Sequence, residues 1–202
     1  MLVKGGPVKT TARNTEPIVV TLGKQIRHYR TKAQFSLSEL AELSGVSRAM
    51  LSKVERGEKS PTLAIIVRIA NGLNVSLSEL MGAEGDSSAV SLIPFSKRMT
   101  FIDPETGFQR QVLSPLHVGN GVEFLAHKIP PGQSSGVLSS YKVPTDNYLI
   151  VTEGILAVEI GEKRHVVHKG DFFHFEVNSS YRFVNEGSVV CEYYLVIVKR
   201  DC

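Results

Sequence analysis

The spacing of hydrophobic positions changes once along this chain, and the change divides it in two. From about Ile18 to Met81, apolar residues recur at the interval of one helical face. Five helices are predicted there: near Leu22–Thr31, Leu37–Ser44, Arg48–Arg56, from Pro61-Thr62 to a stop at Gly72, and a short one opened by Ser76. Ser36-Leu37-Ser38-Glu39 and Ser76-Leu77-Ser78-Glu79 both have the capping-box pattern. In that pattern a serine oxygen accepts from an early amide and a glutamate three residues on reaches back. Beyond 92 the pattern becomes short apolar runs punctuated by Gly, Pro and Asn. The predicted strands are Leu92–Ile102, Phe108–Leu113, Val122–Ile129, Tyr148–Thr152, Ile155–Ile160, Lys163–Val167, Asp171–Glu176, Tyr181–Val184 and Val189–Val198. Many short strands at regular spacing imply a barrel or jelly roll. The stretch Tyr148–Ile160 is expected to be buried on both sides.

Within the helical half, FSLSELAELSGVSRAMLSKVER, from Phe35 to Arg56, reads as two helices joined by a tight turn. Gly45 supplies a left-handed stop and Val46 plugs the turn. Ser47 caps the second helix, whose apolar positions are Met50, Leu51 and Val54 and whose other face carries Arg48, Ser52 and Lys53. Together with LGKQIRHYR before it and LSKVERGEKSPTL and IVRIANGLNVSLSELM after it, this stretch resembles the helix-turn-helix of the Cro/C1-type, or XRE, family from Leu22 to Leu80.

The resemblance implies a five-helix, lambda-repressor-like fold whose third helix enters the major groove of an operator. Arg48 is then the candidate to read guanine with two hydrogen bonds. Lys53, on the same side, is the second candidate, with Ser52 beside it, and Ala49 is placed for a thymine methyl. Ser47, with Ser36 and Leu37 at the start of helix two, is placed for phosphates, as is Lys59 beyond helix three. Arg30 and Glu55 match the buried ion pair of the family, an architectural role. These proteins usually pair, so a homodimer is expected.

Charge supports the division. Residues 1–82 hold 12 Lys+Arg against 6 Asp+Glu, and residues 83–202 hold 11 against 14. The basic half suits a phosphate backbone, and the acidic half is expected to do something else. The domain reading is a polar tail over 1–17, the DNA-binding domain over 18–81, a GAEGDSSAVS linker over 82–91, and the barrel over 92–202. No apolar run approaches a membrane span. The tail lacks a signal core, and Cys191 and Cys202 have no metal-ligand or framework spacing, which fits a reducing cytoplasm.

The barrel half has PPG at Pro130-Pro131-Gly132, the run NYLIVTEGILAVEIGEKRHVVHKGDFFHF, and the closing SSYRFVNEG. In these it resembles a cupin barrel. Metal cupins carry three histidines and an acid on one inner face. The corresponding positions here are Ser140, Lys142, Asn147 and Tyr181, none of them a good cation ligand. No resident metal or cofactor is expected. If those four side chains point inward, they form a polar pocket in which Lys142 pairs an anionic effector. His165 and His168 flank a turn, and His174, in FFHF, has no orientation fixed by the pattern; a non-standard metal site would use it.

The reading is a transcriptional regulator, not an enzyme, whose barrel senses a small metabolite. Two alternatives stand: a cupin metalloenzyme that retains a helix-turn-helix domain, and a DNA-binding protein whose barrel only dimerises.

Overall fold

The structure is a computed structural model that describes residues 18–81, 92–114, 121–141 and 143–200. The predicted tail and linker, with Lys142 and Cys202, lie outside the described residues. The helical head consists of α1 (Ile18–Lys32), α2 (Leu37–Ser44), α3 (Arg48–Glu55), α4 (Leu63–Leu73) and α5 (Leu77–Leu80). Both capping boxes form. Ser36 Oγ accepts from the Glu39 amide at 3.1 Å while Glu39 returns to the Ser36 amide at 2.7 Å, and Ser76 and Glu79 repeat the exchange at the same distances. Gly45 ends α2 at φ 64, ψ 18, a left-handed cap that glycine adopts without a Cβ penalty. Gly23 in α1 meets α3 so closely that a Cβ would lie 2.3 Å from the Val54 carbonyl oxygen. Leu22, Ile26, Leu40, Leu51, Val54, Leu63, Ile66, Ile69 and Leu80 form the buried centre.

The second half is wholly antiparallel. Strands β1 (Thr100–Ile102), β2 (Gln109–Val112), β3 (Val122–Ile129), β9 (Cys191–Lys199), β4 (Thr145–Glu153) and β7 (Phe172–Glu176) form one sheet in the spatial order β1-β2-β3-β9-β4-β7. Strands β6 (Lys163–His168), β5 (Ile155–Ile160) and β8 (Tyr181–Val184) form a second, ordered β6-β5-β8. Bridges Ser134–Val184 and Leu138–Tyr181 extend it. Phe108, Leu125, Ile129, Phe183, Tyr193, Leu195 and Ile197 fill the space between the sheets.

Two expectations are corrected. Leu92–Ile102 is not one strand: Pro94 precedes a 3-10 turn over Phe95–Lys97, and β1 is short. Proline lacks the amide a ladder needs and fixes its own φ, which favours the turn. Nor is Tyr148–Ile160 buried on both sides, since Ile150 is 42 % exposed and β4 has an outer face.

The head packs directly on the barrel. Thr62 makes no side-chain cap for α4. Instead, Asp103 Oδ2, buried beyond β1, accepts from the Leu63 amide at 2.7 Å. Ser78 Oγ, fully buried on α5, donates to Glu123 Oε2 of β3 at 2.6 Å. Asn71 Nδ2 reaches the Ser140 carbonyl at a long 3.5 Å.

Candidate DNA-reading helix and barrel pocket

Ser47 caps α3 through its oxygen, which accepts from the Met50 amide at 3.3 Å. Leu51 and Val54 are buried, with Met50 partly so. At about 100° per residue, Arg48, Ser52, Ala49 and Lys53 occupy a continuous arc opposite them. Arg48 and Lys53 stand at the two edges of that arc, about 140° apart, and do not point the same way as expected. Arg48, Ala49 and Lys53 are exposed, and Ser52 is half-buried. Arg48 and Lys53 make no side-chain hydrogen bond or ion pair among the described residues, although the Lys53 charge is felt by Glu58. Ser52 is engaged: its hydroxyl accepts from Arg56, which also pairs with Glu58 at 2.6 Å.

Around the arc, Ser36 is exposed, Leu37 is half-buried, and Lys59 is exposed in the loop after α3. Arg30 and Glu55 meet as expected. Nε and Nη2 donate to the two carboxylate oxygens at 2.7 and 2.9 Å, and Nη1 donates to the Phe35 carbonyl at 2.8 Å. The Glu55 hydrogen bond raises the Arg30 pKa above its ordinary value. The pair fastens α1, the start of α2 and the end of α3 together, which sets the angle at which the arc is presented.

The barrel interior differs from the expected pocket. Asn147 is fully buried on β4, and Tyr181 is buried at the start of β8. Ser140 is half-buried, does not line the cavity, and is engaged through its carbonyl. His174 faces outward and pairs with Asp146 at 2.9 Å. His165 and His168 are also exposed.

Three interior residues were not anticipated: Arg110, Glu123 and His127, all nearly inaccessible to solvent. Arg110 Nη2 donates to Glu123 Oε2 at 3.0 Å, the oxygen that also accepts from Ser78. His127 Nδ1 lies 3.0 Å from the Tyr193 hydroxyl. Burial, and then the Arg110 charge, push the His127 pKa well below its usual range, so the ring is neutral. Burial also raises the phenol of Tyr141 well above ten, with Tyr181 next to it adding to the shift. The Tyr181 phenol is raised by burial, against the opposing effect of the Tyr141 and Asn147 side chains. The two phenol oxygens are 3.5 Å apart.

Strand alternation carried the missing signal. Glu123, Leu125, His127 and Ile129 share one face of β3, as Phe108, Arg110 and Val112 share one face of the β2 segment. A charged or titratable residue in register with core positions points inward.

A cavity of about 680 Å³, counted to its open mouth, lies between head and barrel. Arg110, Glu123, Tyr141, Tyr181 and Lys199 of the barrel and Asn71, Asn74 and Ser76 of the head supply its polar wall, with apolar side chains that include Leu63, Val67 and Leu77 from the head and Leu138 and Val143 from the barrel. Several buried polar atoms have no hydrogen-bond partner among the described residues: Arg110 Nε, in a residue of the cavity wall, and, in residues that do not line it, His127 Nε2 and both Nδ2 and Oδ1 of Asn147. Such atoms are costly to leave unpaired. Among the described residues, no three of His, Cys, Asp and Glu are grouped to hold a metal, and no helix is long and apolar enough to cross a membrane.

A helix-turn-helix family model, HTH_3, matches residues 26–80, and a cupin-domain model matches 126–198. The HTH-type transcriptional regulator SutR of Escherichia coli (strain K12) is 49% identical over 57 residues, which is 28% of this chain and 32% of SutR. Control protein C.SmaI of Serratia marcescens is 36% identical over 64 residues, covering 32% of this chain and 76% of that protein. The chain spans less than half the length of the first two curated relatives it matches, 32% and 42%. The crystal structure of an HTH_3 family transcriptional regulator from Vibrio cholerae superposes with a TM-score of 0.75 at 25% identity, over 91% of this chain and 98% of that one.

Proposed function

Because the chain belongs to the HTH_3 helix-turn-helix family and carries a cupin domain behind its head, we propose that it is a DNA-binding transcriptional regulator that acts in the cytoplasm and has no catalytic role. The carrying observation is the α3 arc. Two exposed cations frame a short-chain polar surface, on a helix anchored from behind by Leu51 and Val54. In the groove, Arg48 reads a guanine edge, Ala49 meets a thymine methyl, and Lys53 takes a base edge or a phosphate. Ser36, Leu37, Ser47, Ser52 and Lys59 flank the contact. The regulator names of the relatives support the same reading.

A single head of this size reads too few base pairs to be specific, so two copies act together. The outer face of the large sheet supports pairing between copies. Cross-strand rows Phe124–Val196–Tyr148–His174 and Ala126–Tyr194–Ile150–Phe172 place aromatic and aliphatic side chains side by side. Phe172, Tyr194, Ile150 and Phe124 are all exposed there. A second copy related by two-fold symmetry covers like with like. The barrel senses a small molecule, and the polar wall of the cavity, with Arg110 Nε left without an acceptor, supports that role.

Selection of duplexes from a random pool by the full chain tests the proposal. Enrichment of a two-fold-related site, with half-sites about one helical turn apart, is expected. Arg48→Ala should relax preference at one guanine by about 1–3 kcal/mol. A pool without enrichment would remove the regulator reading.

A further inference from the structure

The junction cavity has an electrostatic design that narrows what it takes. Arg110 and Glu123 neutralise each other inside it. Lys199 also lines the cavity, so a carboxylate meets two cations there and an ammonium meets Glu123. Arg110 and Glu123 each keep unused capacity. Arg110 Nε is buried without an acceptor. Glu123 receives both its hydrogen bonds, from Ser78 and Arg110, on Oε2, and none reaches Oε1 among the described residues. The wall thus presents a donor in want of an anion beside an acceptor in want of a cation. Leu63, Val67, Leu77, Leu138 and Val143 give the lining an aliphatic part, beside the polar Asn71, Asn74 and Ser76.

We propose that this cavity binds a small zwitterion of the α-amino-acid class with an aliphatic side chain, its carboxylate at Arg110 and its ammonium at Glu123. The assignment rests on the sensing role proposed above for the barrel and names the ligand class and the route of its effect. The ammonium, at Oε1, draws on the same carboxylate charge that the Ser78 hydroxyl meets at Oε2. Occupancy therefore loosens one of the contacts that tie α5 to the barrel, and by linkage a tightly held α5 weakens the ligand. Head and ligand draw on the same carboxylate.

Titration calorimetry on the full chain tests this without any DNA, so its outcome is separate from that of the duplex selection. The probes are L-leucine, L-methionine and L-phenylalanine, with 3-methylbutylamine and 4-methylpentanoate as leucine analogues that lack one charge each. At least one amino acid should bind with a raised melting temperature, leucine being favoured by the lining. Each single-charge analogue should bind at least ~10-fold more weakly than leucine. Glu123→Gln should lose binding to a similar degree, but it leaves Arg110 buried without its partner and risks misfolding. Ser78→Ala avoids that risk. Freed from the serine, Glu123 should hold leucine about 3- to 10-fold more tightly. No binding by any of the three amino acids, equal binding of either analogue, or unchanged or weaker leucine binding by Ser78→Ala would each overturn the proposal.

Discussion

Asp103 caps a helix that belongs to the other half of the molecule. Its Oδ2 accepts from the Leu63 amide at 2.7 Å, while Oδ1 accepts from the amides of Glu105 and Thr106 at 2.9 and 3.1 Å. One carboxylate thus orders the turn after β1 and completes α4, whose own Thr62 makes no cap. Its negative charge also suits the positive end of the helix dipole.

Replacing Asp103 with Ala should cost about 1–2 kcal/mol, the usual value of a lost cap. Asn, which keeps an acceptor, should cost less. The chain has no Trp and six Tyr, of which only Tyr29 is in the head. Far-ultraviolet dichroism therefore follows mainly the helices, and tyrosine fluorescence mainly the barrel. The two melting curves should coincide in the parent chain and separate in Asp103→Ala, with the helices melting first. Coincident curves in the variant would show that the cap does not couple the halves.

Glu55→Ala strips Arg30 of a two-point partner while leaving its guanidinium mostly buried. Breaking such a pair costs about 3–5 kcal/mol, more than most surface changes. Loss of stability should precede and explain any loss of DNA binding. A variant with the parent melting temperature but no DNA binding would place Glu55 in the reading surface instead.

His127 gives the barrel a pH dependence of predictable sign. Its folded-state pKa lies below the unfolded value of about 6.5, so the unfolded chain takes up a proton first as pH falls. Stability is full above about pH 6.5 and declines below it, by at most ~1.4 kcal/mol per pH unit until the folded pKa is reached. His127→Gln should flatten unfolding free energy between about pH 6.5 and 5, a window above the ordinary carboxylate range. An equal slope in parent and variant would assign the dependence to another group.

Phe172→Glu places a charge on the outer rows of the large sheet, opposite Ile150 in the register. With Phe172 65 % exposed, the monomer fold should tolerate it within about 0.5 kcal/mol. Light scattering should report a dimer for the parent chain and a monomer for the variant. The same mass for both would move the pairing surface elsewhere.

Much of this architecture is legible in the sequence, for local reasons. Capping boxes, Gly45 and the Leu/Val spacing are short-range signals, and the helices fall where they place them, except that α4 runs through Gly72 and stops at a left-handed Asn74. The boundaries of β3, β5 and β8 match the predicted ones because a Gly, Asn or Ser turn closes each of them. The exposed arc of α3 is equally visible, since cations opposite an apolar stripe are a property of one helix. The pocket is less so. Reading it from the ligand positions of metal cupins drew attention to Ser140 and Asn147, which do not line the cavity, as well as to Tyr181, which does. Arg110 and His127 lay on strands where alternation alone pointed inward. The contacts between the halves had no local signature, because Leu63 and Asp103, or Ser78 and Glu123, meet across 40 and 45 residues of chain.

Proteins built from a reading head and a sensing barrel invite the view that either part can be exchanged. The hydrogen bonds from Leu63, Asn71 and Ser78 of the head all end on acceptors of the barrel: Asp103, Ser140 and Glu123. A graft of this head onto a foreign barrel would carry three unmet donors to the new seam. The unit of transplantation is therefore the head together with those three acceptor positions, and chimeras that respect this seam should outlast those cut at the linker.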